Sequence, residues 1–341
     1  MKTIRTAAKE RMTGFCRVCP VCDGRACAGQ VPGMGGLGTG SGFRANLSAL
    51  AEWRLNMRVL HAASDPDPTA RILGIELALP VMAAPIGGVV FNMGGAVSEE
   101  AYITSKLRAC QASGTIGCTG DGVPTFIHEA GFAAITALKG HGIPFIKPWE
   151  DTELDAKLEK ALATGANVVG MDVDAAGLVT LRQMGRPVSP KTPDQIREII
   201  ARTPARFILK GIMTVDQARL AVDAGAAAIV VSNHGGRVLD HTPGAAEVLP
   251  EIVDAVKGQV TILADGGIRS GADVLKLIAL GADAVMIGRP FSVATIGGLE
   301  DGVKTYIDQI RTELISAMVL TGCRDLMAVG RHILRPQAPK F

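Results

Sequence analysis

The run Ser232-Asn233-His234-Gly235-Gly236-Arg237 combines a base, a cation and two glycines within six residues. It follows Ala-Ala-Ile-Val-Val, an apolar stretch of strand type, so His234 is expected at the open end of a strand. An imidazole titrates near neutral pH and can take a proton from a substrate hydroxyl. Arg237 offers a planar fork for a carboxylate, and the glycines let backbone approach a flat ligand. Lys210 closes Arg-Phe-Ile-Leu-Lys, and an ammonium buried at a strand end needs a partner. Beside a reducible cofactor it would stabilise developing negative charge. Asp172 ends Val-Val-Gly-Met-Asp; a carboxylate facing His234 would orient the imidazole and stabilise its charged form. Asp174 lies two residues on, a spacing that keeps both carboxylates on one face. Structural alternatives remain at each position: a capped turn for the His, a snorkelling Lys, a helix-capping Asp.

Two further runs suit an anion. Leu263-Ala-Asp-Gly-Gly-Ile-Arg-Ser270 and Val285-Met-Ile-Gly-Arg-Pro290 each follow an apolar stretch. Gly266, Gly267 and Gly288 can present backbone N–H groups, while Arg269 and Arg289 supply charge. Asp265 could accept from the hydroxyls of a polyol chain.

These residues need elements that bring them together. Apolar runs of strand length recur at 79–84, 114–118, 143–147, 166–172, 206–210, 227–231, 260–264 and 283–287. A helical pattern follows each, for example at 151–164, 214–224, 244–257 and 270–280. Eight β-then-α units predict an α/β chain folded as a (β/α)8 TIM barrel, with a doubly wound open sheet as the rival. In a barrel the chemistry collects at the C-terminal strand ends. The residues just past each run are then one set: Ala84-Pro85-Ile86-Gly87, Thr119-Gly120-Asp121, Lys147, Asp172, Lys210, Ser232-Asn233-His234, Asp265-Gly266-Gly267 and Gly288-Arg289.

The composition suits such a barrel: of 341 residues 48% are apolar, only 4% are aromatic, and 41 are Gly. The net charge of +2 is spread along the chain, which leaves no footprint for nucleic acid or an anionic membrane. No apolar run reaches membrane-spanning length and no signal-type segment opens the chain, so a cytoplasmic enzyme is expected. Seven Cys without an export signal argue against a disulfide framework.

Residues 1–45 are expected to form a Cys/Gly-rich N-terminal segment before a barrel over 46–341. The run Gly33-Met-Gly-Gly-Leu-Gly-Thr-Gly-Ser-Gly42 reads as a mobile loop. Cys16, Cys19, Cys22 and Cys27 are spaced C-x2-C-x2-C-x4-C, one residue longer before the last Cys than a bacterial ferredoxin run. An iron–sulfur cluster, a zinc ion and free thiols all remain open. A cluster would relay electrons to an electron-acceptor protein.

At these residues the sequence resembles the FMN-dependent α-hydroxy acid oxidase and dehydrogenase family, which includes glycolate oxidase and lactate oxidase. The signature Ser-Asn-His-Gly-Ala/Gly-Arg stands here as Ser232–Arg237, and the likeness is densest from Phe207 to Pro290. It extends through Ala83–Gly87 and Gly322-Cys-Arg-Asp-Leu326. The resemblance implies a barrel, bound FMN and oxidation of a small L-2-hydroxy acid, lactate- or glycolate-like, by hydride transfer to flavin N5. It implies His234 as base, Arg237 as carboxylate anchor, Asp172 as the partner of the His, and Lys210 at flavin N1. It also implies a cofactor grip of Ala84, Pro85, Ile86, Ser232, Asp265, Gly266, Gly267, Arg269, Gly288 and Arg289, and a homo-oligomer, often a tetramer. The chain departs from the family after the third strand, where Phe145-Ile-Lys-Pro-Trp149 replaces the usual Gln and Tyr. Lys147 and Trp149 are candidate replacements, and Arg182 and Arg186 stand in for a second substrate Arg. Two rival readings are a non-redox flavoenzyme like type 2 isopentenyl-diphosphate isomerase, against which the Ser232–Arg237 run speaks, and a flavin electron-transfer module.

Overall fold

The expected rhythm of apolar runs closes on itself. The computed structural model describes residues 1–337 and contains a closed barrel of eight parallel strands. They are β1 (Val81–Ala83), β2 (Ile116–Thr119), β3 (Ile143–Ile146), β4 (Val168–Asp172), β5 (Arg206–Ile212), β6 (Ala228–Val231), β7 (Thr261–Asp265) and β8 (Ala284–Ile287). Each pairs with its sequence neighbour, and β8 returns to β1 through Val285 opposite Val81. Closure excludes the open-sheet rival. Nearly every strand residue is buried, because one face meets the barrel interior and the other meets helices.

Two apolar layers result. Met82, Ile116, Phe145, Val168, Val230 and Met286 fill the barrel, together with Ile72 and Leu77 of a small hairpin (Ala70–Ile72 with Ile75–Leu77). Outward strand residues such as Val169, Leu209 and Ile229 pack with Leu249, Ile252 and Leu275 of the surrounding helices. The expected helices appear at Asp151–Ala163, Val215–Asp223, Ala245–Val256 and Gly271–Ala279. The last starts at a capping box: the Ser270 side chain accepts from Asp273 N–H, and the Asp273 carboxylate accepts from Ser270 N–H. Among the described residues no helix is long and apolar enough to cross a membrane.

The N-terminal segment departs from its expected character. Helix Lys2–Arg11 packs on the helical stretch Arg289–Thr321, which kinks at Gly298 and Leu299. Helix Ser41–Ala51 runs through the expected boundary at residue 45. Between them the Gly-rich run is packed on the barrel mouth instead of standing free: Gly35 and Gly36 are buried, and the carbonyls of Gly33, Met34 and Gly35 accept from Arg237 and Arg289.

Candidate active site

One cavity lies at the C-terminal mouth, where the barrel rule places it. Its walls include Ala84, Pro85, Ile86, Asp121, Lys147, Asp172, Lys210, His234, Arg237, Asp265, Gly266, Gly267, Arg269, Gly288 and Arg289. Most of the residues singled out in the sequence therefore meet here.

The register explains the first contact. Asp172 sits directly opposite Lys210 in the β4–β5 pairing. Lys210 Nζ is 3.3 Å from Asp172 Oδ1 and 3.9 Å from Asp265 Oδ2. Burial would discharge this ammonium. Asp172, Asp174 and Asp265 outweigh that penalty and hold its pKa well above the ordinary lysine value. A cation is thus fixed on the cavity wall.

His234 follows β6 in a left-handed backbone conformation, φ 57°, which swings its ring out of the strand direction. Ser232 Oγ accepts from His234 N–H at 3.0 Å. The turn is locked from outside by helix Ser41–Ala51: Asn46 donates to Asn233 Oδ1 at 2.7 Å, and Asn233 donates to Gly42 O at 3.1 Å. Ser232 therefore shapes the turn and does not line the cavity, unlike its expected cofactor contact.

The partner of the imidazole is not Asp172. His234 Nδ1 lies 2.9 and 3.0 Å from the two oxygens of Asp174. Burial raises the Asp174 carboxyl; the neighbouring His234 and Lys210 outweigh it and leave the pKa below the ordinary value. The chain passes from β4 into a 3₁₀ turn, Val173–Gly177, which carries Asp174 towards β6. Gly211 makes room for it. At Gly211, φ is 110°, and a Cβ there would stand 2.6 Å from the Asp174 side chain. A register shift between Lys210 and Ile212 marks the same spot.

Arg237, Arg269 and Arg289 converge on the opposite side. None has a carboxylate within ion-pair distance among the described residues. Their donors instead meet backbone and amide oxygens: Arg237 reaches Gly33 O at 2.6 Å and Asn92 Oδ1 at 3.0 Å. Arg289 reaches Met34 O, Gly35 O and Gly235 O, and stacks 4.0 Å over the Phe43 ring. Burial lowers the Arg237 pKa to about 10. Burial, with Arg237 and Arg269 beside it, lowers that of Arg289 to about 9. Asp265 Oδ1 and Arg269 Nε are buried without a hydrogen-bond partner. Burial also raises the Asp265 carboxyl. Arg269 and Arg289 without carboxylate partners, two orphaned polar atoms and a fixed ammonium suit a group carrying a phosphate, a hydroxylated chain and a ring that becomes anionic, and Arg237 is left for a second anion. FMN has those three parts, so the residues present fit it.

Several expected substrate residues are placed elsewhere. Arg182 is exposed, directed at Ala176 O, and absent from the cavity wall. Arg186 pairs with Glu153 on the surface. Trp149 is buried, and its indole N–H donates to Asp121 at 2.5 Å. Asp121 also accepts from Lys157 at 2.8 Å and from Lys147 N–H at 3.0 Å. Despite burial, hydrogen bonding and these cations hold the Asp121 carboxyl far below its ordinary value. Of the third-strand replacements only Lys147 lines the cavity. Sequence reasoning missed Asp174 as the His partner, Asn92 as an Arg237 acceptor, and Asn46 as the lock on the turn.

The four N-terminal Cys are free thiols of intermediate burial. Among the described residues, the only three or more His, Cys, Asp or Glu close enough to share one ion are Asp172, Asp174 and His234. The thiols do not gather around a single-ion point.

A family model described as FMN-dependent dehydrogenase matches residues 33–186 and 181–336. 4-Hydroxymandelate oxidase of Amycolatopsis orientalis is 34% identical, over 90% of this chain and 95% of its own. Glycolate oxidase of Spinacia oleracea is 33% identical, over 84% and 86%. A crystal structure of mandelate oxidase with benzoyl-formic acid superposes with a TM-score of 0.79 at 31% identity, covering 98% of this chain and 97% of that one.

Proposed function

We propose, since this chain belongs to the family of FMN-dependent dehydrogenases that includes the 2-hydroxy acid oxidases, that it oxidises a small L-2-hydroxy acid of lactate or glycolate size to the 2-oxo acid. The observation that carries the reading is His234, held at Nδ1 by Asp174 and facing a cavity whose guanidinium groups lack carboxylate partners. When bound, FMN supplies the two-electron acceptor that takes the α-hydrogen with its bonding pair.

The chain's own residues do the rest. Asp174 accepts a hydrogen bond from His234 Nδ1–H, which leaves Nε2 as the base; that nitrogen has no partner among the described residues. His234 Nε2 takes the hydroxyl proton as the carbon–oxygen bond becomes a carbonyl. Asp174 then stabilises the imidazolium, a charge-assisted contact between two largely buried groups. Lys147 and Arg237 receive the substrate carboxylate, and Lys147 takes this part in place of the exposed Arg182. Lys210 stands where it would offset negative charge on the reduced ring. Asp265, Gly266, Gly267, Arg269, Gly288 and Arg289 would hold the ribityl phosphate, with Ala84, Pro85 and Ile86 behind the ring.

The test is anaerobic mixing of the flavin-loaded protein with glycolate, L- and D-lactate, mandelate and isopentenyl diphosphate. Bleaching of the flavin by an L-hydroxy acid, with one 2-oxo acid formed per flavin, is the expected result. No bleaching by any acid, or isomerisation of isopentenyl diphosphate, would overturn the reading.

A further inference from the structure

We propose that Cys16, Cys19, Cys22 and Cys27 bind an iron–sulfur cluster that fastens the N-terminal segment over the barrel mouth. The sequence puts four thiols within twelve residues, in a stretch without regular secondary structure. The structure adds local preparation. Val18, inside the first Cys-x2-Cys, has φ 43°, a left-handed conformation that a β-branched residue adopts only under constraint. That conformation turns its N–H onto Cys16 Sγ at 3.4 Å. An N–H aimed at sulfur favours thiolate over thiol and tunes a metal-bound sulfur. Arg269 donates to Cys22 O at 3.2 Å and to Cys22 Sγ at 3.4 Å. One thiol thus already stands against a cation of the active-site cavity.

The spacing of the sulfurs selects among metals. A tetrahedral zinc with bonds of about 2.3 Å would draw its sulfurs to roughly 3.8 Å from one another. Among the described residues no three of these sulfurs lie within 4.8 Å of each other. The pattern Cys-x2-Cys-x2-Cys with a fourth Cys close behind follows iron–sulfur runs, whereas structural zinc more often takes two separated Cys pairs, and a cluster's own metal and sulfide atoms hold its ligands farther apart than one ion would.

The cluster would have a structural task that the fold leaves unfilled. The Cys-rich stretch buries little apolar surface, yet it supports the strap that carries the carbonyls bound by Arg237 and Arg289. Gly35 lies so close to Cys27 that a Cβ would stand 2.0 Å from the Cys27 carbonyl oxygen. A cross-link through four thiols would hold that contact.

The experiment uses the full chain purified without oxygen, and measures iron, zinc, acid-labile sulfide and flavin in one sample, with Mössbauer spectra of protein grown on enriched iron. More than one iron per chain with equal sulfide is expected, and both should be lost in Cys19→Ser while the flavin stays bound. Zinc in place of iron, metal-free thiols or disulfides in the parent protein would each overturn the proposal, whether or not the variant folds. Flavin present without iron would overturn the cluster and leave the hydroxy acid reading standing.

Discussion

Replacing Asp174 by Asn tests which carboxylate serves the imidazole. The substitution keeps the shape of the side chain and removes the charge that accepts from His234 Nδ1 at 2.9 and 3.0 Å. A hydrogen bond to a charged group contributes about 1.5–3 kcal/mol, and each 1.36 kcal/mol is tenfold in rate, so a loss of about 10- to 150-fold is expected. The contact strengthens as the imidazole gains its proton, so the loss falls on the reductive step and not on binding. Stopped-flow bleaching of the flavin at saturating hydroxy acid reads that step. Flavin content should match the parent, because Asp174 does not line the cavity. Asp172→Asn is the control. It leaves Lys210 without its nearest carboxylate, at 3.3 Å, and breaking a buried pair costs about 3–5 kcal/mol. That variant should lose thermal stability and flavin affinity instead. A reductive rate within about threefold of the parent in Asp174→Asn, with a large loss in Asp172→Asn, would refute the assignment, since a charge-assisted bond of this kind is worth more than that.

Other outcomes follow from the same geometry. Lys147→Met should raise KM for hydroxy acids about tenfold or more and weaken competitive dicarboxylate inhibitors, read in steady-state assays, because a cation facing a carboxylate is removed. Gly35→Ala should lower the melting temperature by several degrees, since a Cβ 2.0 Å from the Cys27 carbonyl oxygen forces backbone to move, at about 1–3 kcal/mol. Asp121 and Asp174 both lie below the ordinary carboxylate range. The stability they contribute is therefore complete above the unfolded value of about 3.9 and is lost as pH falls through their lowered folded values. Denaturant titrations should show that acid limb, and Asp121→Asn should flatten it while lowering stability at neutral pH.

The barrel was legible because each strand is a compact run of Val, Ile, Leu or Ala buried on both faces, and because the polar residues past each run share one end. The signature at Ser232–Arg237, Lys210 and the two glycine–arginine loops could be read for the same reason. What escaped was decided by contacts far apart in sequence. Asp172 and Asp174 look equivalent at two-residue spacing; the 3₁₀ turn at Val173–Gly177 and the room beside Gly211 separate their partners. Arg182 has the right charge, but its short helix, Val179–Gln183, turns it to the surface. The Gly-rich run suggested mobility, since local sequence carries no sign of the carbonyl contacts it makes with Arg237 and Arg289, more than two hundred residues away. Trp149 was drawn inward by Asp121 and by Lys157, which stacks 4.0 Å over its ring.

The most direct measurement is the anaerobic reduction rate of bound flavin in His234→Ala against the parent. Parent-like flavin content is expected, with a rate lower by about 10²- to 10⁴-fold, the usual contribution of a positioned base. Parent-like bleaching by a hydroxy acid in this variant would contradict the assignment of His234 as that base.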